Sequence, residues 1–285
     1  MFFFSYLRGR EGSTAVAVPP PFSPADRNHT RSRLLSITTL AEALGVNPST
    51  LTRLATALGY PGFPGLQQVL LSASLTAPGA FYTRQASTAL RGGSTRAGVT
   101  QLCRENQANI DRFVENLDEA AFDEAVALLT SAPRVVVHGI RQFHAVATFL
   151  VYGLRMIRSD VALLDAGGLG IAEGLAALSP GDVLLSTSCA PYSAQVVETA
   201  AVAQRSGLAT IALTDRPGSP LVATSRTAIL VDHGSSFLSN SIGAFVVVAE
   251  CLINACAAAS PTTARSALSD RDRFIEALRI ELQTR

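Results

Sequence analysis

One segment near residue 50 places hydroxyl and guanidinium side chains on a single helix face. Asn47 is a good N-cap and Pro48 suits the first helical position, so a helix should begin here. Its apolar positions should turn inward: Leu51, Leu54, Ala55 and Leu58. The opposite face is short, polar and nearly free of acid, so it could enter the major groove of DNA without repelling phosphate. The candidates for DNA contact are Ser49, Thr50, Thr52, Arg53, Thr56 and Tyr60.

A second group of polar side chains lies in two loops that each follow a predicted strand. The loops run from Gly139 to His144 and from Ser186 to Ser193. In open parallel sheets, ligands bind beyond the carboxyl ends of the strands, where helix N-termini offer amide hydrogens and a positive dipole. We therefore expect these loops to bind a small ligand. The candidate residues are Gly139, Arg141, Gln142, Ser186, Ser188, Tyr192 and Ser193.

The elements that would position these loops alternate between strands and helices from residue 134 onward. Short β-branched runs predict five buried strands: Arg134 to His138, Val161 to Leu164, Asp182 to Ser186, Ala209 to Thr214 and Thr227 to Val231. Helical patterns lie between and after them, around 142–157, 169–178, 193–206, 218–224, 238–259 and 267–283. Such alternation implies right-handed crossovers and a parallel sheet covered on both faces. The predicted fold is a three-layer α/β/α sandwich with a five-stranded parallel sheet.

The 285 residues have room for two ordinary domains. Residues 1–75 are predicted to form an all-α helix-turn-helix domain, of which 1–30, with three successive prolines, is poorly ordered or atypical. Its first helix of the pair should start at Ser36 and end at Gly45. A segment rich in Gly, Ser, Thr and Ala, 76–98, is expected to be a linker. The second domain, 99–285, should begin with two helices that are broken near Leu117.

Composition limits the kinds of protein that the chain can be. Hydrophobic residues make up 48% and charged residues 16%, which is typical of a globular protein. No run reaches the roughly 18 apolar residues of a membrane span, and no signal-peptide core is present, so a cytoplasmic protein is expected. With a net charge of only +1, any contact with nucleic acid must come from a local patch. The cysteines lack metal-ligand spacing, so we expect neither a metal nor a cofactor, and four reduced, buried thiols: Cys103, Cys189, Cys251 and Cys256.

Two parts of the sequence resemble one known family. The stretch SITTLAEALGVNPSTLTRL from Ser36, followed by LGYPGF at 58–63, resembles the helix-turn-helix of RpiR/MurR transcription regulators. Residues 134–260 resemble the SIS (sugar isomerase) domain that follows this motif in the same family. The resemblance implies a regulator that binds double-stranded operator DNA and senses a sugar phosphate or related sugar metabolite. A homodimer or homotetramer is expected, because two copies of the motif can read an inverted repeat.

In that family the two loops hold a sugar phosphate with hydroxyl groups, and this chain keeps only part of that set. Ser188 matches a family serine, and Ser193 replaces a threonine. Phe143 stands where another serine is expected, while Ala190 and Pro191 replace a serine and a glycine. Fewer hydroxyl groups weaken a phosphate site, so a sugar acid or an unphosphorylated metabolite remains an alternative effector.

Two other functions stay open at this point. A SIS domain could act as a sugar-phosphate isomerase, which needs a general base and usually a second acid-base group. The side chains that could supply them are His138, His144, Glu173, Asp232 and His233, but no motif marks any of them as catalytic. The third alternative is an interaction module without DNA affinity. We favour the regulator and assign no catalytic residue.

Overall fold

The computed structural model describes residues 37–38, 41, 45–67, 81–90, 92–165 and 170–282. The predictions for residues 1–30 and for the start of a helix at Ser36 lie outside these residues. The chain divides into two compact units, residues 1–80 and residues 81–285.

In the first unit the described residues include three helical positions before a turn at Gly45 and a complete helix after that turn. Residues 37, 38 and 41 are helical, and Gly45 adopts a φ of +66°, the left-handed conformation expected at a helix end. Helix α1 (Pro48–Ala57) then begins with proline in its first turn. The Asn47 side chain accepts a hydrogen bond from the Ser49 amide at 3.0 Å, so the predicted N-cap is present.

A small apolar cluster stabilises this unit. Ala41, Leu51 and Phe63 are buried together, and residues 62–67 form a further helical segment. The expectation that Leu58 turns inward is wrong, because its side chain is 52% exposed. Leu58 lies just beyond the last residue of α1, and Gly59, with a φ of +82°, turns the chain away at that point.

The second unit begins with three helices: α2 (Phe81–Ala89), α3 (Thr95–Glu115) and α4 (Glu119–Ser131). Ser94 and Asp118 cap α3 and α4 by accepting hydrogen bonds from backbone amides, so the helix break expected near Leu117 is confirmed. The segment predicted as a linker, 76–98, differs from expectation because α2 lies inside it. Helix α2 belongs to the second unit, and its Tyr82 and Gln85 side chains form hydrogen bonds with Arg141 and Ser235 of that unit.

The five strands form one all-parallel sheet in the order β2-β1-β3-β4-β5. They are β1 (Val135–His138), β2 (Val161–Leu163), β3 (Val183–Thr187), β4 (Ala209–Thr214) and β5 (Thr227–Leu230). Each strand end lies within one residue of its prediction, because short β-branched runs bounded by polar residues mark buried strands. Strand β1 has β2 on one side and β3 on the other, so the order of the sheet reverses between β1 and β3. Ligands bind at such a reversal in open α/β sheets.

Helices cover both faces of the sheet, which confirms the predicted three-layer α/β/α sandwich. They are α5 (Phe143–Arg155), α6 (Ile171–Ala176), α7 (Ala194–Arg205), α8 (Gly243–Ala259) and α9 (Pro261–Ala277). Helices α4, α5 and α8 pack on the face that carries Val135 and Val137, whereas α6 and α7 pack on the face of Val136. The helix expected at 218–224 is a single 3₁₀ turn, Val222–Thr224, and the last helix begins at Pro261 rather than near 267.

Helix α8 is the most apolar helix of the sheet unit and lies in its core. Among the described residues no single helix is long and apolar enough to cross a membrane; α8 and α9 reach that length only together, bent by 110°. All four cysteines are free, and Cys189 and Cys256 are buried. The prediction that Cys103 and Cys251 are buried is wrong, because they lie on the outer faces of α3 and α8. The described part of the chain contains no group of three side chains that could hold a metal ion.

Candidate functional sites

The exposed side of α1, here called the α1 face, consists of Ser49, Thr50, Thr52, Arg53 and Thr56. Two of its hydroxyl groups donate to the backbone of their own helix: Thr52 Oγ1 to the Pro48 carbonyl at 3.4 Å and Thr56 Oγ1 to the Thr52 carbonyl at 3.1 Å. Their oxygen lone pairs and the Arg53 guanidinium face solvent, and α1 contains no acidic residue. Tyr60, the sixth residue predicted to contact DNA, is half-buried after the helix. The α1 face therefore offers neutral and cationic groups to a phosphate backbone.

A small cavity in the second unit lies at the carboxyl ends of β1 and β3. Four of the predicted ligand-binding residues line it, namely Arg141, Gln142, Ser188 and Ser193. The remaining lining comes from Phe81, Tyr82, Ile140, Phe143, Cys189, Pro191 and Asn240. This set of residues is called the loop pocket below. The loop pocket lies where the order of the strands reverses, which is where ligands bind in open α/β sheets.

The other three predicted residues do not line the loop pocket. Gly139 is buried, and a Cβ there would lie 2.6 Å from the Phe143 carbonyl oxygen, so its role is to let the backbones approach closely. Ser186 is fully buried in β3, and strand alternation places it on the same face as Leu184. Tyr192 directs its hydroxyl group to Asp215 instead.

The loop after β1 has an unusual backbone and a core anchor. Arg141 adopts a φ of +59°, a conformation that only glycine adopts readily. Phe143 is 3% exposed and packs edge-on against Phe245, with ring centroids 4.9 Å apart. The position where a family serine was expected therefore contributes an apolar core ring to the pocket and no hydroxyl group. Gln142 accepts a hydrogen bond from the Ser239 hydroxyl group, which ties this loop to the segment before α8.

The loop after β3 is held in place by its own polar groups. The Ser188 hydroxyl oxygen accepts from the Ser193 amide at 3.4 Å, and the Asn240 side chain donates to the Ala190 carbonyl at 2.9 Å. Cys189 is buried; burial and the nearby Asp215 carboxylate raise the pKa of its thiol. A thiol of this kind stays protonated at neutral pH, so Cys189 has the character of a packing residue rather than a redox sensor.

A buried carboxylate forms a hydrogen-bonded cluster beside this loop. Asp215, whose side chain is 4% exposed, accepts hydrogen bonds from Tyr192 Oη at 2.7 Å and Arg216 Nε at 3.0 Å, and His233 Nε2 lies 3.3 Å away. These residues are called the Asp215 cluster. Burial by itself would raise the pKa of Asp215, but the hydrogen bonds from His233 and Tyr192 and the charge of Arg216 outweigh burial and lower that pKa.

The other side chains considered for isomerase chemistry do not converge. His138 is fully buried, its Nδ1 lies 2.6 Å from the Leu164 carbonyl oxygen, and burial lowers its pKa. His144 and Glu173 are exposed on their helices, and Asp232 forms an exposed ion pair with Arg112 at 3.2 Å. Of the five candidates, only His233 lies in a polar cluster with another acid-base group.

Several residues at this edge were missed by the sequence reasoning. Asp215 directly follows β4, so the rule that sites form beyond strand ends could have identified it. Asn240 reaches the pocket from a long loop with no pattern. Phe81 and Tyr82 stand in the segment predicted as a linker, where nothing in the sequence indicates that they cover a pocket.

The comparisons with known proteins agree with this architecture. Residues 128–255 match the family model of the SIS domain. The chain is 26% identical over 200 residues to the HTH-type transcriptional regulator HexR of Pseudomonas aeruginosa, a match that covers 70% of this chain and 68% of HexR. That stretch is longer than the 128 residues of the SIS match, so the similarity is not confined to them.

Two solved structures share the fold. The sugar isomerase domain of an RpiR transcription factor from Sphaerobacter thermophilus is 27% identical, with a TM-score of 0.59, over 61% of this chain and 97% of that one. The NanR protein of Vibrio vulnificus, complexed with ManNAc-6P, is 18% identical, with a TM-score of 0.55, over 90% of this chain and 95% of NanR; this shows a shared fold alone. Residues 128–255 thus match a SIS domain, as the resemblance of residues 134–260 predicted, and the chain is similar to regulators that carry this domain. The helix-turn-helix part of the resemblance stays a prediction.

Proposed function

We propose that this SIS-domain chain is a DNA-binding transcription regulator controlled by an anionic sugar metabolite, and that it acts in the cytoplasm without enzymatic activity. The observation that carries the proposal is the similarity to HexR, an HTH-type transcriptional regulator, over 70% of the chain. The α1 face would contact operator DNA, and the loop pocket would bind the effector.

The α1 face supports DNA binding through its chemistry. Helix α1 is capped at Asn47, starts at Pro48 and follows a turn at Gly45, and these features support its role as a recognition helix. Arg53 is exposed and forms no ion pair among the described residues, so it is available to a guanine or a phosphate. One such face is small, and we therefore propose a homodimer or homotetramer that presents at least two of them to an operator.

The loop pocket supports an effector with an anionic group on a sugar. Arg141 supplies a cation, Ser188 and Ser193 supply hydroxyl groups, and Gln142 supplies an amide. NanR, which shares the fold, is complexed with a sugar phosphate. The hydroxyl groups lost at Phe143 and Ala190 leave Arg141 as the principal partner for the anion. A phosphate or a carboxylate can fulfil that role, because a guanidinium binds either with paired hydrogen bonds.

The Asp215 cluster favours a regulator over an isomerase. A general base needs a pKa near neutrality and a free lone pair. The Asp215 carboxylate instead has a lowered pKa and already accepts hydrogen bonds from Tyr192 and Arg216. Its chemistry suits a structural brace for the loop after β3, so we assign no catalytic role to it.

DNA binding by the full chain tests the proposal. Fluorescence anisotropy with the DNA upstream of the protein's own gene should show specific binding whose affinity falls as salt rises. Arg53→Ala should weaken it, while Arg205→Ala, which removes the same charge from an exposed position on α7, should not. Isomerase turnover without operator binding would refute the regulator and support the enzyme.

A further inference from the structure

Helix α2 covers the loop pocket with its first two residues. The Arg141 guanidinium donates a hydrogen bond to the Tyr82 hydroxyl group and lies over the Tyr82 ring, 5.3 Å from its centroid. The Phe81 ring packs edge-on against Tyr82, with centroids 5.3 Å apart, and also lines the pocket. Farther along the helix, Gln85 Nε2 donates to the Ser235 carbonyl oxygen at 2.7 Å. Helix α2 is thus fastened both to the loop after β1 and to the segment after β5.

Arg141 has the properties of an anion-binding residue, but its guanidinium contacts the neutral Tyr82 side chain where an anion would bind. Among the described residues no carboxylate lies within ion-pair distance of its guanidinium. Its backbone is held at a φ of +59°, which an arginine adopts only where the surroundings impose it. The Tyr82 hydroxyl oxygen and the face of its ring offer only partial negative charge. A phosphate or carboxylate oxygen is a stronger acceptor for the same guanidinium.

The loop pocket is too small for a sugar while Tyr82 is in place. Its volume is about 10 Å³, which is room for roughly one water molecule. Pockets for small molecules usually measure about 300–1,000 Å³. The neighbours Phe143 and Cys189 belong to the buried core and cannot move aside easily, whereas Tyr82 is 48% exposed. Helix α2 is therefore the wall whose displacement opens the pocket.

We infer that α2, the strap Phe81–Ala89, competes with the effector for Arg141, so that effector binding releases the strap. The inference rests on the proposed effector site and names how that site is regulated. Because the effector must displace Tyr82, its apparent affinity is reduced by the fraction of molecules in which the strap is closed. The strap starts directly after residue 80, the last residue of the first unit along the chain. Because the strap directly follows the first unit along the chain, its release is the step by which we expect the effector to act on DNA binding.

Three full-length proteins test the strap: wild type, Tyr82→Ala and Tyr152→Ala. Tyr152 on α5 is a matched control, since it is also an exposed tyrosine beneath an arginine. Its partner Arg271, on α9, lies 5.6 Å from the centroid of the Tyr152 ring, and neither residue lines the pocket. Calorimetric titrations with glucose 6-phosphate, 6-phosphogluconate and gluconate distinguish a phosphate from a carboxylate. We expect Tyr82→Ala to bind the best of these probes about 5- to 10-fold more tightly than wild type, and Tyr152→Ala to bind it like wild type.

Hydrogen exchange gives a second readout. Saturation of wild type with the bound probe should speed exchange of the amides of residues 81–89, and Tyr82→Ala should show fast exchange there without any probe. Equal affinity in all three proteins, with unchanged exchange at 81–89, would overturn the strap and leave the effector pocket standing. No binding of any probe, even to Tyr82→Ala, would overturn both the strap and the proposed pocket.

Discussion

The α1 face and the loop pocket carry similar side chains, hydroxyl groups and one arginine each, but they are prepared for their partners differently. On α1 the arginine is exposed and unpaired among the described residues, and the threonine hydroxyls bond only to their own helix. In the loop pocket Arg141 is bonded to Tyr82, and Ser188 accepts from Ser193. The difference predicts that the α1 face can bind DNA without losing contacts, whereas an effector in the loop pocket would have to break contacts within the protein.

The largest effect, on stability, should come from the Asp215 cluster beside the pocket. Asp215→Asn removes the buried charge that Tyr192 and Arg216 share, and it should lower the free energy of unfolding of the second unit by about 3 kcal/mol. Asp270→Asn is the control, because Asp270 forms an exposed ion pair with Arg273 and contributes little. Urea denaturation measures both. Equal stability of the two variants would show that the Asp215 cluster does not stabilise the pocket.

The same carboxylate predicts a pH dependence. Its folded-state pKa lies below the ordinary value of 3.8, so the unfolded chain takes up the proton first. The stability that it contributes is therefore present above about pH 4 and is lost as the pH falls through the lowered pKa. The difference between wild type and Asp215→Asn should shrink in that acidic range. A difference that stays constant between pH 7 and pH 3 would contradict this assignment.

A smaller difference in stability is expected between two glycine substitutions, one at the crowded edge of the sheet and one in the open turn after α1. Gly139→Ala places a Cβ 2.6 Å from the Phe143 carbonyl oxygen and 2.7 Å from Thr187 Cγ2, which should cost about 2 kcal/mol of unfolding free energy. At Gly59 an added Cβ would meet nothing within 4 Å, and only the φ of +82° opposes it, so Gly59→Ala should cost about 1 kcal/mol. Denaturation midpoints of the two variants test the order. If the order is reversed, Gly139 does not hold the loops together.

On the α1 face, Arg53→Ala should weaken operator binding about 10-fold, since a good arginine contact to a base is worth about 1–3 kcal/mol. Arg205→Ala should leave the affinity unchanged at the same salt concentration. Anisotropy titrations at several salt concentrations also show whether the slope against salt falls, as expected when a phosphate contact is lost. Equal losses in both variants would mean that total charge, and not the α1 face, determines the affinity.

The smallest effect should come from a single pocket hydroxyl. Ser188→Ala should reduce effector affinity about 3- to 5-fold, because its oxygen is already shared with the Ser193 amide at 3.4 Å. Ser266→Ala, at an exposed position on α9, is the control. Calorimetry with the best-binding sugar probe compares them. An affinity unchanged by Ser188→Ala would remove this residue from the pocket.

The fold was largely predictable from the sequence, and the reasons are local. Each strand is a short β-branched run, and the caps at Asn47 and Asp118 mark helix starts by their own side chains. Helix α2 was missed because its sequence, FYTRQASTA, is short, polar and without an apolar stripe. It is held by contacts with Arg141 and Ser235, which lie far away along the chain.

The sequence predicted which loops form the candidate site but not which of their side chains line it. Strand ends identify which loops meet, and Arg141, Gln142, Ser188 and Ser193 of these loops line the pocket. The direction of each side chain depends on tertiary contacts, which is why Ser186 and Tyr192 point elsewhere. Their roles, and that of the pocket as an effector site, stay predictions.

The most direct experiment measures how the loop pocket affects DNA binding by the α1 face. Operator affinity of the full chain is measured by anisotropy with and without the best-binding sugar probe, in wild type and in Arg141→Ala. We expect the probe to change the affinity of wild type about 5-fold or more, and the affinity of Arg141→Ala, in which the strap has lost its partner, not to respond to the probe. A response that persists in Arg141→Ala, or operator binding by wild type that no probe affects, would contradict control of DNA binding through the loop pocket.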